Sequence, residues 1–153
     1  MNFHRLIFLL SFISILPAED QQPNRFEDLI GQWSGKGRII VSWCDQEFIG
    51  LDIVIHDDQQ VTGTIGDAVI NNGRVKKNNW VLRMLGNPEF IIAGNLIGPL
   101  IESENIHRKS IHYLLLNMES GDILTGGFHS SGWHFGGRKK MVLSVTDITL
   151  QKQ

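Results

Sequence analysis

One short stretch near the C-terminal end of the chain combines residue types that could do chemistry. Residues 126–141 read GGFHSSGWHFGGRKKM and contain His129 and His134, two serines beside the first histidine, and three large aromatic side chains. Paired histidines can hold a transition metal, and a serine beside a histidine can be activated as a nucleophile. The elements that carry these side chains decide which chemistry is feasible.

Two hairpin geometries are compatible with this stretch. A three-residue loop at 130–132 puts Gly132 in the left-handed position that such a loop requires, and it leaves the two histidines on opposite faces. A two-residue loop at 131–132 sets His129 opposite His134, with Cβ atoms about 5 Å apart and able to share a metal. The position of the glycine favours the three-residue loop.

Neither metal binding nor nucleophilic catalysis has a complete set of residues. A metal site needs a third ligand, and the sequence does not position the remaining candidates His56, His107 and His112. Ser130 and Ser131 would lie in a tight turn, which explains both serines without catalysis. We therefore expect no enzymatic activity, no metal site and no cofactor.

The elements that position these residues are β-strands. Runs of β-branched or alternating apolar residues end at Asn-, Asp- and Gly-rich turns, as FIGLDIVIH (48–56) does at DDQQ and SIHYLLLNM (110–118) does at ESGD. This spacing predicts an all-β fold, an antiparallel up-and-down β-barrel of about 8–10 strands, with a β-sandwich as the alternative.

Three further segments receive an assignment from their pattern. WVLRML (80–85) is assigned to a strand, and AVI (68–70) and RV (74–75) are assigned to strand segments on either side of an NNG turn. Helical periodicity occurs once, in RFEDLIGQW (25–33), where apolar residues fall at i, i+3 and i+4 before a glycine. We predict one or two turns of helix just before the first strand.

The N-terminal residues have the layout of a secretory signal. An apolar segment at 6–16 follows a short basic start and precedes a small residue and a polar run. A helix of this length spans about 16 Å, too short for a bilayer core of about 30 Å. We predict a signal peptide at 1–18, a flexible arm at 19–25 and a single β-barrel domain at 26–152. The mature chain would be secreted or periplasmic, without a transmembrane segment.

Charge and cysteine content narrow the class of protein further. The chain has 14 basic and 16 acidic residues, and removal of 1–18 takes away one basic and no acidic residue, so the formal net charge goes from −2 to −3. This near-neutral, mixed composition argues against nucleic-acid binding. The single cysteine, Cys44, excludes an internal disulfide. We expect a monomer held together by core packing.

The segment GQWSGKG (31–37) resembles the Gly-x-Trp start of the lipocalins and the wider calycin group, and also the opening of nitrobindin-like haem barrels. The lipocalin resemblance implies that Trp33 lies against the closed end of the barrel, with a late basic residue, Arg138 or Lys139, packed on its ring. The chain has no Thr-Asp-Tyr segment of the lipocalin kind, no disulfide pair and no histidine in the last strand to bind haem. The resemblance therefore bears on the fold more than on a ligand.

These observations predict a non-catalytic barrel that binds a small apolar or amphipathic ligand, because barrel mouths are common ligand pockets. The candidate ligand-binding residues are Trp33, Trp43, Phe128, His129, Trp133, His134, Phe135 and Arg138. Two other functions stay open. One is a structural or protein-interaction module whose barrel is filled by its own side chains, and the other is a metal- or haem-binding barrel.

Overall fold

A computed structural model of the protein describes residues 26–101, 106–134 and 140–153. In this part of the chain, eight strands form one closed antiparallel barrel, in which each strand pairs with its neighbours in sequence and the last strand pairs with the first. The strands are β1 (Gly31–Ile39), β2 (Phe48–Ile55), β3 (Gln60–Ile65), β4 (Ala68–Lys77), β5 (Phe90–Ile97), β6 (Ile106–Ser120), β7 (Ile123–His134) and β8 (Lys140–Lys152). The predicted up-and-down barrel is confirmed, and the closed sheet excludes the sandwich.

Two short helices lie at the same end of the barrel, which we call the helix end. α1 (Phe26–Leu29) precedes β1, and α2 (Trp80–Met84) lies between β4 and β5. Because successive strands are antiparallel, β4 ends and β5 begins at the end where β1 begins. The opposite end, where β7 ends and β8 begins, we call the far end. The helix predicted before the first strand is confirmed as the single turn of α1.

Alternation of apolar and polar residues explains which side of each strand faces the core. In β2, Ile49, Leu51, Ile53 and Ile55 are at most 1% exposed, and the residues between them are exposed or half-buried. The same period of two continues around the barrel, because successive side chains of a strand point to opposite faces. Each fully buried aliphatic side chain contributes about 1.5–3 kcal/mol relative to leaving it in water.

Two glycines allow neighbouring strands to approach closely. A Cβ atom on Gly126 would overlap the carbonyl oxygen of Leu115 in β6, and one on Gly35 would overlap the carbonyl oxygen of Thr149 in β8. Both clashes are with backbone, which cannot move aside as a flexible side chain can. Glycine is therefore required where these strands curve to close the wall.

The strand assigned to residues 80–85 is wrong, because most of this segment forms α2. Asn79 caps the helix: its side-chain oxygen accepts a hydrogen bond of 3.0 Å from the Val81 amide, and its carbonyl oxygen accepts one of 3.1 Å from the Arg83 amide. Asparagine is a favoured N-cap residue. The apolar run alone did not distinguish a short helix from a strand, and the cap decided it.

The turn assigned to NNG is also wrong, because β4 continues through it. The register shifts between Asn71 and Arg74 against β5, and Asn72 has a φ of 53°. These features describe a β-bulge, which bends a strand without ending it. The glycine-rich signal therefore marks curvature within one strand.

Candidate ligand-binding site

The helix end of the barrel is closed by packing between α1 and β1. Trp33 and Leu29 have no exposed surface, and Trp33 Nε1 donates a hydrogen bond of 2.7 Å to the Leu29 carbonyl oxygen. Phe26 packs against the same core. The predicted position of Trp33, against a closed end next to the N-terminal helix, agrees with this geometry.

A late basic residue packs on Trp33, and that residue is Lys152. Its Nζ lies 5.4 Å from the centre of the Trp33 ring and donates a hydrogen bond of 2.8 Å to the Asp28 carbonyl oxygen. Lys152 reaches the ring because β8 pairs with β1 with Trp33 directly opposite Lys152. The expected partners, Arg138 and Lys139, lie outside the described residues.

The half of the interior nearest the helix end is filled by its own side chains. Trp33, Phe90, Leu116, Leu124 and Leu150 have no exposed surface at all. A side chain without accessible surface has no space for a water molecule beside it. Around these residues the barrel offers no volume to a ligand.

The stretch that could do chemistry does not form a hairpin. Residues 123–134 are one continuous strand, β7, which pairs with β6 on one side and with β8 on the other. Both hairpin geometries for residues 129–134 are therefore wrong. Backbone pairing on both sides outweighs the local turn preference of Ser-Ser-Gly.

His129 lies on the outer wall and has two local partners. Its Nδ1 is 3.0 Å from the Ser144 hydroxyl of β8, and its ring meets the Tyr113 ring of β6 edge-on, with 5.4 Å between centroids. The three side chains form a row across three neighbouring strands, since Tyr113 is paired with His129 and His129 with Ser144. This row orients the imidazole. Among the hydrogen bonds of the described residues, none joins a carboxylate to it, so a catalytic triad is not assembled there.

Phe128 and Ser130, on either side of His129, face the interior. Phe128 has no exposed surface and Ser130 is 1% exposed. Ser130 lies between Ile111 of β6 and Leu143 of β8, both of which are buried in the core. The hydroxyl of Ser130 has no hydrogen-bond partner. An unpaired buried hydroxyl costs about 1–3 kcal/mol, so it requires an explanation.

Burial of the core residues at the far end is uneven. Small exposed fractions remain, which are 8% for Ile39, 5% for Ile70, 3% for Ile111 and 2% for Leu143, whereas Ile65 and Ala68 at the same end have no exposed surface. Leu100 and Ile101 at the start of the β5–β6 connection are 1% exposed and belong to the same core. The far end therefore combines an apolar lining with one unpaired polar group.

The remaining predicted residues are placed by the structure only in part. Trp43 lies in the β1–β2 connection and is 40% exposed. The backbone of Trp133 and His134 belongs to β7, where Trp133 pairs with Lys140 and His134 with Ile106, and the side chains of both lie outside the described part. Phe135 and Arg138 lie outside the described residues.

Ser130 is the residue whose role the sequence argument missed. Ser130 had been considered only as a turn residue or a nucleophile beside His129. A continuous strand through residues 123–134 puts Ser130 on the same face as Phe128, two positions earlier. The alternation of a β-strand therefore predicts that Ser130 faces the interior, provided that residues 129–134 are assigned to a strand and not to a turn.

A groove lined mainly by charged residues lies on the outer wall. It has a volume of about 310 Å³ and is lined by Lys36, Arg38, Glu47, Phe48, Asp147 and Thr149. Its two cations face two carboxylates, and Arg38 lies 3.8 Å from Glu47 in an exposed ion pair. The charges balance within the groove, so it has no net attraction for an anion or a cation.

Residues 26–101, 106–134 and 140–153 contain neither a cluster of metal ligands nor a membrane-spanning helix. No group of three or more His, Cys, Asp or Glu side chains in those ranges is placed to hold a metal ion. His56 at the helix end has Nε2 2.9 Å from the Thr62 hydroxyl, while His129 belongs to the row on the wall. No helix in those ranges is long and apolar enough to cross a bilayer.

Comparison of the chain with protein-family models, with curated proteins and with solved structures finds no match. The functional argument therefore depends on the geometry of the barrel.

Proposed function

We propose that this chain is an exported, non-catalytic, calycin-like barrel that binds a small, mainly apolar molecule carrying one hydrogen-bonding group. The ligand would enter at the far end and displace side chains that now cover Ser130, so that its polar group reaches the Ser130 hydroxyl. The observation that carries the proposal is the Ser130 hydroxyl, which is buried and unpaired inside an otherwise apolar lining. A hydroxyl or carboxyl of the ligand would remove the cost of that unpaired group.

The difference between the two ends of the barrel supports ligand entry at the far end. The helix end is closed by Leu29 and Trp33, and these two side chains have no exposed surface. The far end keeps residual exposure at Ile39 and Ile70. Small-molecule sites in proteins are mostly apolar with few polar groups that fix orientation, as the lining of this end is.

The calycin-like part of the proposal has its own support. A single-turn helix precedes a Gly-x-Trp segment, the tryptophan lies at the closed end, and a late lysine packs on it. These three relations are those that the resemblance implied. Export remains a proposal from the N-terminal sequence at 1–18, which lies outside the described residues.

The test combines a search for bound mass with one variant. Native mass spectrometry of protein purified from its own host detects a ligand directly, and titration with a dansyl-labelled fatty acid measures binding to the ligand-free protein. We expect Ser130→Ala to weaken binding of this probe by about 2- to 12-fold, the effect of one net hydrogen bond of about 0.5–1.5 kcal/mol. The same variant stabilises the ligand-free protein, because it removes an unpaired buried hydroxyl.

Ser144→Ala is the matched control for this variant. Ser144 lies on the outer wall and its hydroxyl is bonded to His129, so its removal should lower stability and leave probe binding unchanged. The proposal fails if wild type carries no bound mass and does not bind the probe. It also fails if Ser130→Ala and wild type bind the probe equally and have equal stability.

A filled barrel that acts as an interaction module is the second candidate. The observation that favours it is the absence of exposed surface on the interior side chains of the helix-end half, Trp33, Phe90 and Leu124 among them. If that packing continues to the far end, the barrel has no room for a ligand. The same experiment separates the two functions, since a filled barrel gives neither bound mass nor probe binding.

A further inference from the structure

Four large apolar side chains project from one short segment at the helix end. Met84 is 78% exposed, Leu85 73%, Trp80 63% and Val81 44%. They belong to α2 and the residue that follows it, at i, i+1, i+4 and i+5, so they share one face of the helix. We call these four residues the α2 apolar face. Such a cluster of exposed apolar side chains usually marks an interaction surface.

Ion pairs and hydrogen bonds fix the segment that carries the α2 apolar face. Glu89 is 13% exposed at its side chain and lies 3.4 Å from Lys77 Nζ and 3.2 Å from Arg83 Nη1. The Glu89 amide donates a hydrogen bond of 2.8 Å to the Asn117 side chain in β6. The Asn78 side chain donates one of 2.9 Å to the Pro88 carbonyl oxygen, which joins the two ends of the connection. The fold therefore presents the apolar face on a positioned element.

The segment around α2, residues 74–89, carries a net positive charge in a chain whose net charge is negative. Residues 74–89 contain the cations Arg74, Lys76, Lys77 and Arg83 and one carboxylate, Glu89, a net charge of +3, whereas the whole chain has a formal net charge of −2. Lys76 is exposed near the end of β4, shortly before α2 begins. An apolar face with tryptophan and flanking cations is the pattern of segments that lie in a lipid–water interface.

We propose that the α2 apolar face inserts into the surface of a lipid bilayer that contains anionic lipid. The cations of residues 74–89 would approach the headgroups, and Trp80, Met84 and Leu85 would enter the boundary with the acyl chains. A protein partner fits less well, because a standard protein interface involves about 20–30 residues a side. Insertion in a bilayer needs only a few apolar side chains. This proposal is independent of the ligand at the far end.

Acidic turns at the same end limit the contact to α2. Asp57 and Asp58 follow β2, Glu119 and Asp122 lie around the β6–β7 turn, and Glu27 and Asp28 belong to α1, all at the helix end. Anionic headgroups repel these turns. We therefore expect binding that is reversible, that depends on anionic lipid, and that weakens as salt is raised.

The test is flotation of the purified barrel with vesicles of phosphatidylcholine, with and without phosphatidylglycerol. We expect wild type to float with the anionic vesicles and much less with phosphatidylcholine alone. The double variant Met84→Ser/Leu85→Ser should lose at least about tenfold in affinity, from two apolar side chains that no longer leave water. Lys76→Gln should lose up to about fivefold.

Ile97→Ser is the matched control, because Ile97 is 59% exposed on the outer wall at the far end. It should bind vesicles as wild type does. Trp80→Phe should keep most of the binding but lose the quenching of tryptophan fluorescence by brominated lipid. All five substituted positions are exposed, so urea unfolding should give unchanged midpoints for the four variants and exclude misfolding as the cause.

Four results would overturn the proposal. One is wild type that floats with neither kind of vesicle, another is a Met84→Ser/Leu85→Ser variant that binds as wild type does, and the third is equal loss in the Ile97→Ser control. Wild type that forms a dimer lost in the double variant, without flotation, would also overturn it and would assign the α2 apolar face to a second copy of the chain.

Discussion

Lys152 Nζ lies 5.4 Å from the centre of the Trp33 ring and donates a hydrogen bond to the Asp28 carbonyl oxygen. The last strand thereby contacts both the first strand and the helix before it. Since β8 must pair with β1 to close the sheet, this lysine ties the closure of the barrel to the packing of α1.

We expect Lys152→Met to lower the free energy of unfolding by about 1–2 kcal/mol, from a lost cation–π contact and a lost charged hydrogen bond. Urea unfolding followed by tryptophan fluorescence measures the change. Gln151→Met, at the exposed neighbouring position, is the control and should change stability little. Equal effects of the two substitutions would contradict a specific role for Lys152.

Trp33→Phe keeps an aromatic ring at the closed end but removes the Nε1 donor. The Leu29 carbonyl oxygen would then be buried without the hydrogen bond it accepts at 2.7 Å. We expect a loss of about 1–3 kcal/mol in unfolding free energy for Trp33→Phe, and a larger loss for Trp33→Leu, which also leaves a cavity. Thermal unfolding followed by circular dichroism measures which of the two variants has the lower melting temperature. A wild-type stability for Trp33→Phe would show that the bond contributes nothing.

Adjacent glycines in β7 should respond very differently to alanine. A Cβ on Gly126 overlaps the Leu115 carbonyl oxygen, whereas a Cβ on Gly127 has its nearest neighbour, the Val145 carbonyl oxygen, at 3.4 Å. We expect Gly126→Ala to cost about 3 kcal/mol or more, because backbone must shift. Gly127→Ala should be tolerated. Yield of soluble protein and urea midpoints test the contrast, and similar values for the two variants would refute the close approach of β6 and β7.

We expect His56 and His129 to act without metal. Dialysis against a chelator should leave the melting temperature unchanged, because His129 is bonded to Ser144 and His56 to Thr62 at separate places on the barrel. His129→Gln should lower stability by the same amount before and after chelation. Stoichiometric metal in elemental analysis, together with a melting temperature that falls on chelation, would be incompatible with this expectation.

The candidate site was only partly predictable from the sequence. The sequence predicts Trp33 and Phe128 as ligand-binding residues, and the structure buries both side chains fully inside the barrel. Ser130 was placed in a turn, because Ser-Ser-Gly is a strong local turn signal. Its actual position depends on pairing with Ile111 and Leu143, which are 19 and 13 residues away in the chain. Local patterns do not contain that information.

The sequence by itself determined the class of fold. Apolar residues with a period of two, separated by turn residues, specify antiparallel strands, and the single i, i+3, i+4 stripe predicts one or two turns of helix before β1. These are short-range properties of the backbone, so they can be read from neighbouring residues.

Only the tertiary structure decided which residues meet. Closure of β8 onto β1 selected Lys152 as the partner of Trp33, and continuous pairing of β7 with β6 and β8 turned a supposed hairpin into a strand that buries the Ser130 hydroxyl. The physical reason is that the hydrogen bonds of a barrel join residues far apart in sequence, and their sum outweighs the conformational preference of any single turn.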